Sequence, residues 1–221
     1  MSDRPAGGAT GDVLARLEAA EARLAIGQLV ARYALALDGR DIDTMVGLFV
    51  ADVEAGGDWG VGRDALKAYF SSPGSLAGFY RSMHLVAGHV IELIDADRAR
   101  GTVHCRAEHE SGARWGVMVM NYQDDYERHD GRWYFRRRRL QPLYACDIAE
   151  RPSDGDYSRG WEDPDLPAHR RGRPARLPAE YPTFVPFFDQ FDPGHVARLT
   201  AQPAPRVTRR RPPPEPSGGP G

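Results

Sequence analysis

Cysteine is scarce in this 221-residue chain: only Cys105 and Cys146 are present. That rules out a disulfide framework and any four-cysteine zinc site, and it fits a reducing compartment. Long apolar runs are missing too. Nothing approaches the roughly 20 residues of a membrane-spanning helix, and the opening "MSDRPAGGATGD" has no signal-peptide core. The expectation is a soluble, cytoplasmic protein. Neither sign of charge dominates, the formal net charge being −2, so no global field draws the chain to nucleic acid or to an anionic membrane. Proline is nearly absent from the first two thirds, where only Pro5, Pro73 and Pro142 occur; the other fifteen lie between Pro152 and Pro220.

What is present supports one folded core, since 41% of the residues are hydrophobic in a chain too short for three domains. Residues 1–12 are small and polar, a mobile lead-in. From Val13 the run to Asp38 places Leu14, Leu17, Ile26, Leu29, Val30, Tyr33 and Leu37 at mostly three- and four-residue spacings, which predicts an amphipathic helix ended by Gly39 in the left-handed conformation. A second helix is predicted over "DIDTMVGLFVAD", capped by Asp41 or Asp43, and a third over 62–72 with Leu66, Tyr69 and Phe70 inward. After Pro73-Gly74 the period drops to two. Strands are expected at 83–94, 99–110, 113–127 and 132–145, separated by "DADR", "ESG" and "HDG". Three helices followed by a four-stranded meander make an α+β domain over 13–149, with the helices covering one concave face. Residues 150–202 form a proline-rich extension whose "YPTFVPFFDQFDP" is too apolar to leave in water; it is expected to dock partly on the domain or on a partner subunit. Residues 203–221 are expected to be disordered.

The strand "RSMHLVAGHVIELI" holds two histidines, His84 and His89. Strict alternation puts them on opposite faces, and both faces are apolar, so parity does not choose between them and the strand should be covered on both sides. The next strand is clearer: Val103, Cys105, Ala107 and His109 share an apolar face, which places His109 at the end of a buried row. A histidine there is either a structural group hydrogen-bonded to backbone or, near a pocket mouth, one whose environment tunes it for proton transfer. Tyr33, on the apolar stripe of the first helix, needs a partner for its hydroxyl inside or at a pocket rim. Asp38 ends that helix, where its charge gains nothing from the helix dipole; it serves either the following turn or an imidazole whose tautomer it fixes.

The runs "YALALDGRDIDTMVGLFVADV", "VGRDALKAYF", "MHLVAGHVIEL" and "YERHDGRWYFRRRRL" resemble the SnoaL-like branch of the nuclear transport factor 2-like superfamily over roughly residues 15–146. The resemblance implies a cone-shaped, curved antiparallel sheet closed by the three N-terminal helices. Within that superfamily the chain is most similar to the lyases bile-acid 7α-dehydratase, scytalone dehydratase and hexachlorocyclohexane dehydrochlorinase, which implies an acid–base dyad of Asp38 and His84. It also implies Tyr33 and His109 as further catalytic groups. The position of scytalone dehydratase's substrate-gripping Asn holds Tyr122, and that of one of its water-holding tyrosines holds Gly57, so the scytalone substrate does not carry over.

The activity implied is that of a lyase of dehydratase type, or an isomerase, with no metal and no organic cofactor, acting on a largely apolar, ring-containing molecule. The lining is either Met118, Met120 and Tyr122 or Val117, Val119 and Asn121; the methionines favour the first set, with Trp59 added. In "RWYFRRRRL", parity divides the arginines two and two, Arg136 and Arg138 with Tyr134, Arg137 and Arg139 with Phe135. One inward arginine would grip a carboxylate or phenolate, and by family position the resemblance implies Arg138. The competing assignment is a non-catalytic binding or assembly protein of the same fold, like the small subunits of ring-hydroxylating dioxygenases. A metal hydrolase ranks lower, because His84, His89, His104 and His109 lack compact ligand spacing. "RGRP" in the tail and "RRRPPPEP" are weak signals for DNA and for a polyproline partner; no nucleic-acid or membrane partner is expected. Resemblance suggests a homo-oligomer, a dimer or trimer, joined through the outer sheet face.

Overall fold

A computed structural model of the chain describes residues 7–72, 74–111 and 114–148, with isolated positions at 182, 186, 187, 189, 192 and 194. The expected extension and tail otherwise lie outside the described residues. The helix-forming run of Ala, Leu, Glu and Arg makes α1, Gly7–Asp38, which reaches back six residues before Val13 and so takes in part of the expected lead-in. Its buried side chains are Ile26, Leu29, Val30, Tyr33 and Leu37; Leu14 and Leu17, grouped with them by spacing, are more than half exposed. The reason is geometric. Leu17 lies nine residues from Ile26, two and a half turns at 3.6 residues each, and therefore points the opposite way.

α1 ends differently from expectation. Arg40, not Gly39, takes the left-handed conformation (φ 59°), while Asp41 N–H bonds Ala36 C=O at 2.9 Å, closing a Schellman-type cap. A non-glycine residue there costs about 1–2 kcal/mol, offset by its guanidinium, which donates to Leu37 C=O, Ser82 Oγ and Phe79 C=O. Helix end and first strand are thereby strapped together.

Asp41 caps α2, Ile42–Gly47, through Thr44 N–H. α2 is shorter than expected because the chain turns extended at Phe49, where Val50 N–H donates to Phe135 C=O of the last strand and Phe135 N–H donates to Leu48 C=O. A 3-10 turn, Gly57–Trp59, leads to α3, Arg63–Phe70, and a second, Leu76–Gly78, leads into the sheet. Four antiparallel strands follow in sequence order: β1, Arg81–Leu93; β2, Arg98–Ser111; β3, Arg114–His129; β4, Arg132–Asp147. Asp130 and Gly131 both have positive φ, the two-residue turn that matches strand twist. No described helix is long and apolar enough to cross a membrane.

Three register shifts interrupt the pairing, and two of them decide which of the site's side chains face the helices. In β1 the pairing jumps from Ala87↔His104 to His89↔Val103, leaving Gly88 unpaired with φ +51°. A one-residue insertion reverses parity beyond it. Ser82, His84 and Val86 before the bulge therefore share the concave face with His89, Ile91 and Leu93 after it, while Leu85 and Val90 are 49% and 73% exposed. The expectation of opposite faces for the two histidines fails for this reason, and among the described residues nothing covers β1 on its outer side. In β4 the pairing jumps from Tyr126↔Phe135 to Asp125↔Arg137. Arg136 is the extra residue, so Arg138 falls on the face of Phe135 and not that of Tyr134. The two-and-two division of the arginines is corrected accordingly: Arg136 pairs with Asp52 and Arg137 with Asp125, while Arg138 goes inside.

Gly101 makes room for this interior. A Cβ there would lie 2.9 Å from His89 Nε2, 2.9 Å from Val90 O and 3.1 Å from the Tyr126 ring. Gly101→Ala is expected to lower stability by about 1–3 kcal/mol through overpacking against backbone, read as a lower urea midpoint with unchanged slope; an unchanged midpoint contradicts the packing described.

Candidate active site

The last turn of α1 brings Asp38 over the start of β1, and there its carboxylate meets three donors. His84 Nδ1 lies 2.6 Å from Oδ1, the His84 backbone N–H donates to Oδ2 at 2.7 Å, and Ser82 Oγ donates to Oδ1 at 3.1 Å. Ser82 in turn accepts from Arg40 Nη1 at 2.7 Å. Burial by itself would raise the Asp38 pKa, but the ring and backbone bonds from His84, its charge and the Ser82 bond outweigh it and hold the carboxyl below its ordinary value. An ionised Asp38 accepts only, so Nδ1 of His84 carries a proton, and in the neutral tautomer of the ring Nε2 then keeps its lone pair. The His84 side chain is 5% exposed. His109 is buried beside it, its ring 5.6 Å away and edge-on, with its other side against the Phe79 ring at 4.4 Å.

A second cluster fills the middle of the concave face. Arg138 is bidentate to Asp124, Nε to Oδ1 at 2.8 Å and Nη2 to Oδ2 at 2.6 Å, with side chains 4% and 0% exposed. Its guanidinium lies 4.4, 4.2 and 4.3 Å from the ring centres of Tyr33, Tyr122 and Phe135. Burial opposes its charge, but Asp124 holds it protonated, above the ordinary arginine value. Nη1 is buried without a hydrogen-bond partner. Tyr126 donates to Asp124 Oδ2 at 2.8 Å, and because its one proton is spent there it accepts from His89 Nε2–H at 3.0 Å. Desolvation lowers the pKa of half-buried His89, keeping it neutral, and burial raises those of Tyr33 and Tyr122, keeping both hydroxyls protonated. Cys105, next to Tyr122, is pushed up to about 11 by burial, so it is a poor nucleophile at neutral pH.

The structure thus brings Asp38, His84 and His109 together, and separately Tyr33, Tyr122 and Arg138. Met118 and Met120 are buried on the same face, opposite Ala107 and Cys105 of β2. Trp59 stands in neither cluster: its ring meets Tyr69 of α3 edge-on at 5.7 Å. Sequence reasoning missed Asp124 and Tyr126, although both continue the parity of Tyr122 by steps of two. Ser82 and Arg40 carried no signal of their own. Among the described residues no group of three or more His, Cys, Asp or Glu is arranged to hold a metal ion.

The fold and this interior can be set beside known proteins. The chain belongs to the SnoaL-like domain family, whose model matches residues 18–139, more than half of its length. Among solved structures it is similar to a protein of Novosphingobium aromaticivorans provisionally named scytalone dehydratase, at 25% identity and TM-score 0.53 over 61% of this chain and 93% of the other. It is also similar to the type-3 hexachlorocyclohexane dehydrochlorinase LinA of Novosphingobium barchaimii, at 21%, TM-score 0.54, 62% and 96%, which supports the fold alone. A third is Rv3472 of Mycobacterium tuberculosis, a protein of unknown function, at 29%, TM-score 0.50, 57% and 73%. No curated protein matches the chain by sequence.

The depressed Asp38 pKa has a sign. A carboxyl whose folded pKa lies below its unfolded one contributes stability that is complete above the unfolded value and is lost as pH falls through the folded one. From the ordinary value of 3.8 downward, the chain is expected to lose stability more steeply than Asp38→Asn, measured by urea denaturation across that acid range; parallel pH profiles contradict the ionised dyad.

Proposed function

We propose that the chain is a cofactor-independent lyase of dehydratase type, or an isomerase, acting on a largely apolar, ring-containing small molecule. The observation that carries this is the convergence of three hydrogen-bond donors on Asp38, which leaves one bare nitrogen, His84 Nε2, on a buried imidazole. In the proposed reaction Nε2 takes a proton from a carbon next to a carbonyl. The C–H electron pair forms the new double bond, and the departing hydroxyl receives a proton from His109 and leaves as water. In an isomerisation the proton returns to another carbon. Asp38 stabilises the imidazolium formed in between, and a positioned acid–base group of this kind contributes roughly 10²–10⁴-fold in rate.

Met118, Met120 and Tyr122 are the proposed lining, and Arg138 Nη1, its one unbonded nitrogen, is the proposed grip for a carboxylate or phenolate. Tyr33, held protonated beside Arg138, is a hydroxyl donor to the same group. Trp59 is left out of that lining because its ring packs on Tyr69. The similarity to a protein provisionally named as a dehydratase supports the same class of chemistry.

One observation favours a second reading, a non-catalytic ligand-binding or assembly protein. Arg138 with Tyr33, Tyr122 and Phe135 occupies the centre of the concave face, where a large substrate would lie. The two readings part on turnover. With a panel of hydroxylated ring compounds followed by mass spectrometry, the expected result is loss of water or a shifted double bond by the native chain. His84→Ala is expected to slow it at least about 100-fold with an unchanged circular dichroism spectrum. Ligand binding with no conversion supports the second reading, and full activity in His84→Ala removes His84 from the chemistry.

A further inference from the structure

α1 has two apolar faces, and its own domain uses one. The inner face, Ile26, Leu29, Val30, Tyr33 and Leu37, is buried. On the opposite side Leu17, Leu24 and Ala31 recur every seven residues with Val13, Ala20 and Gly27 between them, the alternating three- and four-residue spacing of a coiled-coil seam. Leu24 is 71% exposed and Leu35, further along the same side, 74%. Residues 10–18 are exposed throughout, so the first turns of a helix roughly 48 Å long receive no packing from the domain. A helical segment of that length without tertiary contacts is marginal in water. A helix with two apolar stripes needs cover on both.

We infer that the outer face of α1 pairs with the same face of a second copy of this chain, as a parallel two-stranded coiled coil over residues 13–31. Charge decides both the partner and the direction. The seam is flanked by Arg16 and Arg23 on one side and by Leu14, Glu21 and Gln28 on the other. In a parallel pair Arg16 of each copy stands five residues before the other copy's Glu21, the interhelical ion-pair spacing of coiled coils, and Arg23 stands likewise before Gln28. In an antiparallel pair Arg16 and Arg23 face each other instead. Over residues 13–24 the seam lies on the exposed part of the helix, well round from its buried face.

The experiment is sedimentation velocity on the full chain. The native protein is expected to be a dimer, and Leu17→Glu with Leu24→Glu to weaken association at least tenfold while the helical circular dichroism signal of the domain persists. Arg16→Glu alone is expected to weaken the dimer, and Arg16→Glu together with Glu21→Arg to restore it. Leu17→Cys in a Cys146→Ser background is expected to cross-link to its own copy on oxidation. A chain that stays monomeric at every concentration, as it would if its own apolar segment near residues 184–188 covered the seam, overturns the inference. So does an oligomer indifferent to Leu17→Glu and Leu24→Glu, which places the contact elsewhere, for instance on the sheet. Failure of the charge exchange to restore association overturns the parallel direction.

Discussion

One contact across the top of the domain organises the rest: the Asp38 carboxylate, delivered by the end of α1, against the ring and backbone of His84 on β1. It spans 46 residues of sequence and ties the helical layer to the sheet at a buried edge. A carboxylate in that position is costly to desolvate unless every lone pair is used. Here the cost is met by donors from β1 alone, His84 twice and Ser82 once, and Ser82 is itself fixed by Arg40 at the helix end. The strained backbone of Arg40 therefore serves the site: a left-handed arginine turns the chain sharply after α1 and returns its guanidinium to the first strand.

The second constraint is the pair of bulges. Without the insertion at Gly88, His89 would leave the interior and Tyr126 would lose its donor. Without the insertion at Arg136, Arg138 would face solvent and Asp124 would be a buried, unpaired carboxylate. Breaking such a pair from one side costs about 3–5 kcal/mol, so the chain from His89 through Tyr126 and Asp124 to Arg138 stands or falls with the local irregularity of two strands.

Much of this was legible in the sequence. The change of period near Pro73 separated helices from sheet, Asp130-Gly131 marked the last hairpin, and alternation on β2 placed His109 inside correctly. The choice between His84 and His89 was not legible from periodicity, because alternation assumes an unbroken strand. Gly88 was the one hint, an isolated glycine within a strand being a common bulge residue; Arg136 offered none, since its extra position is fixed by pairing with β3 and by Asp52. The cap at Arg40 was hidden for a similar reason: its backbone strain is offset by tertiary bonds that no local propensity contains. Leu14 and Leu17 were drawn into the core by spacing alone, although their angle on α1 turns them outward.

The central claim is that Asp38 fixes the proton of His84 on Nδ1 and leaves Nε2 bare. Proton–nitrogen correlation spectra of the histidine rings at neutral pH test it directly. His84 is expected to show a protonated Nδ1 with a strongly deshielded proton and an unprotonated Nε2, a signature that disappears in Asp38→Asn. A His84 ring protonated on Nε2, or one whose spectrum is indifferent to Asp38→Asn, would contradict it.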